Sequence, residues 1–84
     1  MEQKRRIKTY VSVTARFDTA GNIIPTKVLW EDGRKFDIDK IIDVRPCASL
    51  KAGGFGIRYT CRILGKETYI FREADRWFVE KVQI

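Results

Sequence analysis

Apolar and polar residues alternate along most of this chain with a period of two, the pattern of a β-strand with one face in the core and one in water. In IKTYVSVTARF (residues 7–17), five of the six odd positions are apolar. The next run, NIIPTKVLW (22–30), places Ile24, Val28 and Trp30 on one face, and its proline indicates an edge strand or a bulge. Both runs are predicted strands, joined by the turn DTAG.

The segment EDG (31–33) predicts a three-residue hairpin loop that places Val28 opposite Phe36. The run KFDIDKIIDVRP (35–46) then continues the apolar face, except that Lys40 breaks the alternation. We expect a bulge or bend near this lysine. A single helical turn over DIDKII is the alternative interpretation of the same residues.

The segment FGIRYTCRI alternates cleanly, and the loops after it are expected to set the pairing of the last two strands. A three-residue loop at ILG (63–65) places Tyr59 opposite Tyr69. A similar loop at EAD, although it contains no glycine, places Phe71 opposite Trp77.

These segments predict an all-β fold, a single antiparallel six-stranded meander that forms a small barrel or a strongly curled sheet. Residues 7–84 form one domain, and residues 1–6 are expected to be a basic flexible tail. The predicted core consists of Val13, Phe17, Val28, Trp30, Phe36, Ile38, Tyr59, Cys61, Tyr69 and Trp77. At 84 residues the core is thin, so its aromatic rings must supply much of the burial.

Targeting signals and cysteines bear on the compartment. No apolar run is long enough to span a bilayer and the start resembles no signal peptide, so we expect a cytoplasmic protein without a membrane partner. Cys61 occupies an inward position and is expected to be a buried reduced thiol. A disulfide with Cys47 is the alternative.

Few residues suit catalysis or metal binding. The chain has no histidine and no CxxC pair, so we expect a non-enzymatic protein without a cofactor or a metal ion. In LKAGGFGIRYTCRI (50–63), Lys51 precedes the glycines and a strand follows them, the reverse of a phosphate-binding loop. Asp37, Asp39 and Asp43 offer a carboxylate cluster for a divalent ion, but a charged strand face paired with Lys35 or Arg45 is favoured.

The balance of 17 Lys and Arg against 11 Asp and Glu gives a net charge of +6 and favours polyanionic partners. The expected register places a stripe of arginines on the outward face, and we predict weak, sequence-tolerant binding of DNA or RNA there, helped by the tail. The candidate residues are Arg58, Arg62, Arg72, Arg76, Lys4, Arg5 and Arg6, with Tyr10 or Phe55 available for base stacking.

Two other interpretations of these charges and strands remain open. In the first interpretation, the charged face is simply solvated and balanced by Glu67, Glu73 and Glu80, and the net charge serves only solubility. Alternatively, the chain is a protein-interaction module or a homodimer that pairs through an exposed strand edge, such as the strand of Pro25 or the C-terminal RWFVEKVQI.

Over nearly its full length, with WEDGRKF, GIRYTCRI and RWFVEKV as its most distinctive segments, the chain resembles a group of small bacterial β-domain proteins of unknown function. They share a W-x-x-G-R-x-aromatic hairpin and a closing R-W-F-V strand. The resemblance implies a β domain and no site residues. The same hairpin is similar to a short domain that accompanies relatives of DNA-repair polymerases, where the spacing is W-x-G-R rather than the W-x-x-G-R found here.

Overall fold

The fold is an antiparallel sheet of seven strands in the computed structural model, which describes residues 5–48 and 55–83. The strands are β1 (Arg5–Phe17), β2 (Ile23–Leu29), β3 (Lys35–Asp37), β4 (Lys40–Ala48), β5 (Phe55–Ile63), β6 (Lys66–Glu73) and β7 (Arg76–Gln83). The all-β antiparallel class is confirmed, with one strand more than predicted. None of the described segments forms a helix, so none could cross a membrane as one.

The seventh strand arises where the predicted run 35–46 breaks into β3 and β4. The strand order is β3-β2-β1-β7-β6-β5-β4, so these two consecutive strands form opposite edges of the sheet. The Ile38 amide donates to the Thr26 carbonyl on β2, and the next amide, that of Asp39, donates to the Arg62 carbonyl on β5. Since two adjacent residues bond to opposite sides of the sheet, the sheet must curl, and it forms a half-barrel.

The hairpin of β2 and β3 follows the sequence pattern closely. Val28 pairs with Phe36, and the Trp30 amide donates to the Arg34 carbonyl across a three-residue loop. Gly33 closes that loop at a φ of 91°, as its position predicts. In β2, the pairing with β1 skips Thr26, the residue after the proline, so the bulge predicted there is confirmed. The prediction that Ile24 shares a face with Val28 is wrong, because beyond the bulge Ile24 pairs with Arg16 on the other face.

The turns before and after β6 are each one residue shorter than predicted. Leu64 and Gly65 alone connect β5 to β6, both at positive φ, and Ile63 pairs with Lys66. Such two-residue turns match the right-handed twist of the strands they join. A shift of one residue moves every side chain of a strand to the other face, so Tyr59 pairs with Ile70 instead of Tyr69.

The turn from β6 to β7 is shorter in the same way, with Ala74 at a φ of 52° and Glu73 paired with Arg76. The two shifts cancel, so Trp77 still lies on the predicted face. We call the face that carries Val28, Tyr59 and Ile70 the inner face, and its opposite the outer face.

The core lies on the inner face. Its buried residues are Val28, Tyr59, Cys61, Ile70 and Val79, and Val13, Trp30, Ile38 and Trp77 are partly buried against them. The core prediction is wrong for Tyr69, which is 47% exposed after the register shift, and for Phe17, which is 73% exposed. Phe17 lies at the far end of β1, where β2 alone among the described strands pairs with it.

Both cysteines are free thiols. Cys61 pairs with Ile41 on the inner face and is fully buried, whereas Cys47 pairs with Gly56 on the outer face. Because the two side chains project from opposite faces, the disulfide alternative does not apply. Burial raises the pKa of the Cys61 thiol to about 11.

Candidate nucleic-acid interface

One row of side chains crosses five strands of the outer face. Successive cross-strand pairs connect its members, which in order are Tyr10 on β1, Phe78 on β7, Phe71 on β6, Arg58 on β5 and Arg45 on β4. Directly opposed residues of antiparallel strands project from the same face. The outer face therefore presents three aromatic rings followed by two guanidinium groups.

The rings of this row pack as a small second core. Phe71 stacks on Phe78 with centroids 5.0 Å apart, and Tyr10 meets Phe78 edge-on at 5.9 Å. The Lys8 ammonium lies 4.4 Å from the Phe78 centroid and donates to the Glu73 carboxylate at 2.8 Å. The lysine bridge and the neighbouring rings leave Phe78 only 4% exposed.

The hydrogen bond to Glu73 also raises the pKa of the Lys8 ammonium above its ordinary value. Sequence reasoning treated this face as wholly wet and missed the cluster. The available signal was the pair of apolar triplets YIF (69–71) and WFV (77–79), because consecutive apolar residues indicate a strand buried on both faces.

Three arginines share the outer face with these rings. The Arg76 guanidinium lies 3.5 Å from the Tyr10 centroid, and that of Arg58 lies 4.8 Å from the Tyr69 centroid. Arg62 is exposed on the same strand as Arg58. Within the described ranges these three arginines form no ion pair, whereas Arg45 is bonded to Asp43 at 2.5 Å. We call Arg58, Arg62, Arg76, Tyr10 and Tyr69 the outer basic surface.

Acidic groups share this face and moderate its potential. Glu67 lies directly opposite Arg62 on the neighbouring strand, and Glu80 lies directly opposite Lys8. Glu73 forms an ion pair with Lys8, and Asp43 forms one with Arg45. The positive character of the surface therefore comes from a few guanidinium groups rather than from a continuous excess of cations.

Arg72 does not belong to the stripe, contrary to the sequence prediction. It pairs with Ile57 on β5 and Trp77 on β7, which places it on the inner face. Its assignment depended on the ILG loop, and the shorter turn reverses it. Its Nη1 donates to the Ala74 carbonyl at 3.1 Å.

The predicted basic tail is only partly within the described chain. Arg5 and Arg6 belong to β1, where they pair with Gln83 and Val82, so the strand begins two residues earlier than expected. Lys4 lies outside the described residues, as does most of the glycine-rich loop, and Phe55 begins β5.

The acidic residues considered for a divalent ion are separated by the fold. Asp37 is on β3, 3.8 Å from the Lys27 ammonium, whereas Asp43 is bonded to Arg45 on β4 at the other edge of the sheet. In the part of the chain that the structure describes, no three His, Cys, Asp or Glu residues lie close enough to hold a metal ion.

No known protein family, curated protein or solved structure matches this chain. What it does must therefore be inferred from its own side chains.

Proposed function

We propose that the protein is a small non-enzymatic module that binds single-stranded nucleic acid weakly, and with little sequence preference, through the outer basic surface. The observation that carries this proposal is the combination of three arginines that form no ion pair among the described residues with two tyrosines that are more than a third exposed. Guanidinium groups donate paired hydrogen bonds to phosphate, and exposed rings stack on bases of any sequence.

The same chemistry explains why the binding is expected to be weak. Contacts to phosphate position a nucleic acid but carry no base information. The acidic residues beside the arginines reduce the attraction, and only a few phosphates are within reach of three guanidinium groups. A partner with splayed bases is favoured because Tyr69 and Tyr10 can stack only on bases that are not already paired.

Fluorescence anisotropy with labelled single-stranded DNA and RNA tests the proposal. If three phosphates of a single strand are neutralised, log affinity falls against log salt with a slope of about −2. The double variant Arg58→Glu and Arg62→Glu should abolish binding at about 50 mM salt, where phosphate contacts are strong. The matched control, Lys27→Glu and Lys35→Glu, makes the same change of charge on exposed positions of β2 and β3 and should bind nearly as the wild type does.

A ring variant separates stacking from charge. Tyr69→Ala should weaken binding by about 5- to 150-fold, the range for one stacked base, and leave the salt slope unchanged. Phe17→Ala removes an even more exposed ring away from the surface and should leave affinity unchanged. Absence of wild-type binding at low salt would rule out the proposal, and equal losses in the two ring variants would rule out its stacking component.

The second candidate is a protein-interaction module or homodimer that uses an exposed strand edge. The strands named for it from sequence are internal, since β2 lies between β3 and β1, and β7 lies between β1 and β6. The edges are β3, which has three residues, and β4, which carries exposed Ile42 and Val44.

Exposed apolar side chains on β4 favour a protein contact, but the strand also has a bulge at Ile42 and a proline at Pro46, and both features hinder edge pairing. Nucleic-acid binding is therefore the first proposal. Sedimentation over a range of concentrations tests the second, which requires a dimer that Val44→Lys disrupts.

A further inference from the structure

The pairing between β6 and β7 ends before either strand does. Within the described chain the two strands pair at three positions next to their turn, and the last of these joins Phe71 to Phe78. Beyond that pair β6 continues along β5 to Lys66, and β7 continues along β1 to Gln83. An opening therefore separates β6 from β7 inside the sheet, at the end away from their turn.

The opening leaves main-chain groups of β6 without a partner strand. Successive residues of an antiparallel strand bond alternately to the neighbours on its two sides. Because Lys66 closes the two-residue turn from β5, this residue, Thr68 and Ile70 bond to β5. The N–H and C=O groups of Glu67 and Tyr69 point the other way, toward the opening, where no described strand pairs with them. Such a row of donors and acceptors can pair with another strand.

A cleft on the inner face adjoins the opening. Its volume is about 340 Å³, within the range of small binding sites. Thr68 and Ile70 of β6 and Val79 of β7 contribute to its lining, together with the rings of Trp30 and Phe36. Since every second side chain of a strand projects from the same face, a strand added to β6 would direct alternate side chains toward this largely apolar space.

The charged residues that line the cleft are both cationic. Arg34 and Lys66 are exposed, and the described lining contains no acidic side chain. Arg34 is bonded to the Asp32 carboxylate at 2.6 Å, whereas Lys66 forms no ion pair within the described part of the chain. A carboxylate brought beside Lys66 would therefore meet an ammonium group that is not already neutralised.

We propose that the opening binds an extended peptide of a partner protein, which adds as an antiparallel strand to β6. Such a peptide meets Tyr69, Thr68, Glu67 and Lys66 in that order. The fitting sequence therefore has an apolar residue opposite Thr68 and an acidic residue two positions later, opposite Lys66. Main-chain hydrogen bonds to Glu67 and Tyr69 provide affinity, and the two inward side chains provide selectivity.

This site is distinct from those considered above. It uses neither of the edge strands, β3 and β4, because the open positions lie on β6 inside the sheet. It is also separate from the outer basic surface, to which Tyr69 contributes its ring, because the peptide bonds to the main chain of Tyr69 and places its selective side chains on the inner face.

Amide hydrogen exchange of the free chain tests the premise without any substitution. The amides of Glu67 and Tyr69 should exchange rapidly, whereas those of Thr68 and Ile70, which bond to β5, should be protected. Equal protection of Tyr69 and Ile70 would overturn the inference. Protection of Tyr69 that increases with protein concentration would also overturn it, because a second copy of the chain would then fill the opening.

NMR titration with the peptide acetyl-Thr-Phe-Thr-Glu-amide tests the binding itself. The peptide should shift the amide resonances of Glu67 and Tyr69 and slow their exchange. N-methylation of its second threonine, which lies opposite Glu67, removes a main-chain donor and should weaken binding by about tenfold. Alanine in place of the phenylalanine should weaken binding by at least about tenfold, because the ring is then missing from the cleft.

A charge reversal tests the orientation of the peptide. Lys66→Glu should weaken binding of this peptide by about two- to fivefold, the effect of one exposed ion pair, and should favour a peptide with lysine in place of the glutamate. The matched control, Lys35→Glu, changes an exposed lysine of β3 that does not line the cleft and should bind as the wild type does. No binding of the peptide at millimolar concentration, equal binding of its N-methylated form, or shifts confined to β3 or β4 would overturn the inference.

Discussion

Ile70 and Tyr69 are neighbours on β6 that the fold places on opposite faces, and replacing each with alanine tests the register directly. Ile70 is 0% exposed in the inner core, while Tyr69 is 47% exposed on the outer face. A three-residue loop before β6 would reverse these positions. The two substitutions should therefore have very different effects on the free energy of unfolding, in an order that only one register allows.

The magnitudes follow from burial. Ile70→Ala removes three buried carbons at roughly 0.8 kcal/mol each and leaves a cavity, so we expect a loss of about 2–5 kcal/mol. Tyr69→Ala removes a half-exposed ring and its contact with Arg58, which contributes about 0.5–1 kcal/mol at an exposed site. In a domain of this size, each kcal/mol lowers Tm by roughly 4–8 °C.

Urea and thermal unfolding followed by circular dichroism measure both effects. Ile70→Ala should lower Tm by roughly 10 °C or more, and Tyr69→Ala by less than about 8 °C. If Ile70→Ala fails to fold, Ile70→Val should still lose about 0.5–1.5 kcal/mol. A larger loss for Tyr69→Ala than for Ile70→Ala would refute the two-residue turn and with it the placement of Phe71 on the outer face.

Three further predictions concern single positions. Burial raises the pKa of the Cys61 thiol from 9.0 to about 11, so its contribution to stability is fully present below pH 9 and is lost as pH rises to about 11. The free energy of unfolding in urea should therefore fall more steeply over that pH range for the wild type than for Cys61→Ala. Equal pH dependence of the two proteins would contradict this. Gly56→Ala places a Cβ 2.9 Å from the Arg72 carbonyl oxygen and should destabilise the fold by about 1–3 kcal/mol. An unchanged urea midpoint would mean that β5 and β6 can move apart at this point without loss of stability. Leu64→Asn should stabilise the fold by about 1 kcal/mol, because exposed Leu64 has a φ of 52° that asparagine tolerates better. A lower urea midpoint for the variant would show that the contacts of the Leu64 side chain stabilise the fold by more than its backbone strain destabilises it.

The sequence predicted strand faces well wherever alternation alone decides them, and poorly where a turn decides them. Arg58 and Arg62 are on the outer face as expected, since β5 alternates without interruption. Gly33 marked a loop whose length was predicted correctly. The ILG turn could not be predicted because Leu64, a residue that disfavours positive φ, adopts it to match the twist of the strands.

The consequences for the candidate site differ from residue to residue. Arg72 changed face because its position depends on one shifted turn, whereas Arg76 kept its face because a second shift restores β7. The separation of β3 from β4 was not predictable from local pattern either. It results from curling of the whole sheet, which lets the Ile38 amide bond to β2 and the next amide, that of Asp39, bond to β5.

The outer-face ring cluster of Tyr10, Phe78 and Phe71 has a structural role and, on our proposal, a functional one. An 84-residue chain buries few residues on its inner face, so a ring cluster on the outer face adds packing that the core alone lacks. The same cluster holds Arg76 against Tyr10 at 3.5 Å. A guanidinium group already positioned by a ring loses less freedom when it binds a phosphate than one on a free side chain. The packing that stabilises the outer face therefore also prepares its arginines for an anionic partner, which favours this surface over the scattered charges elsewhere on the sheet.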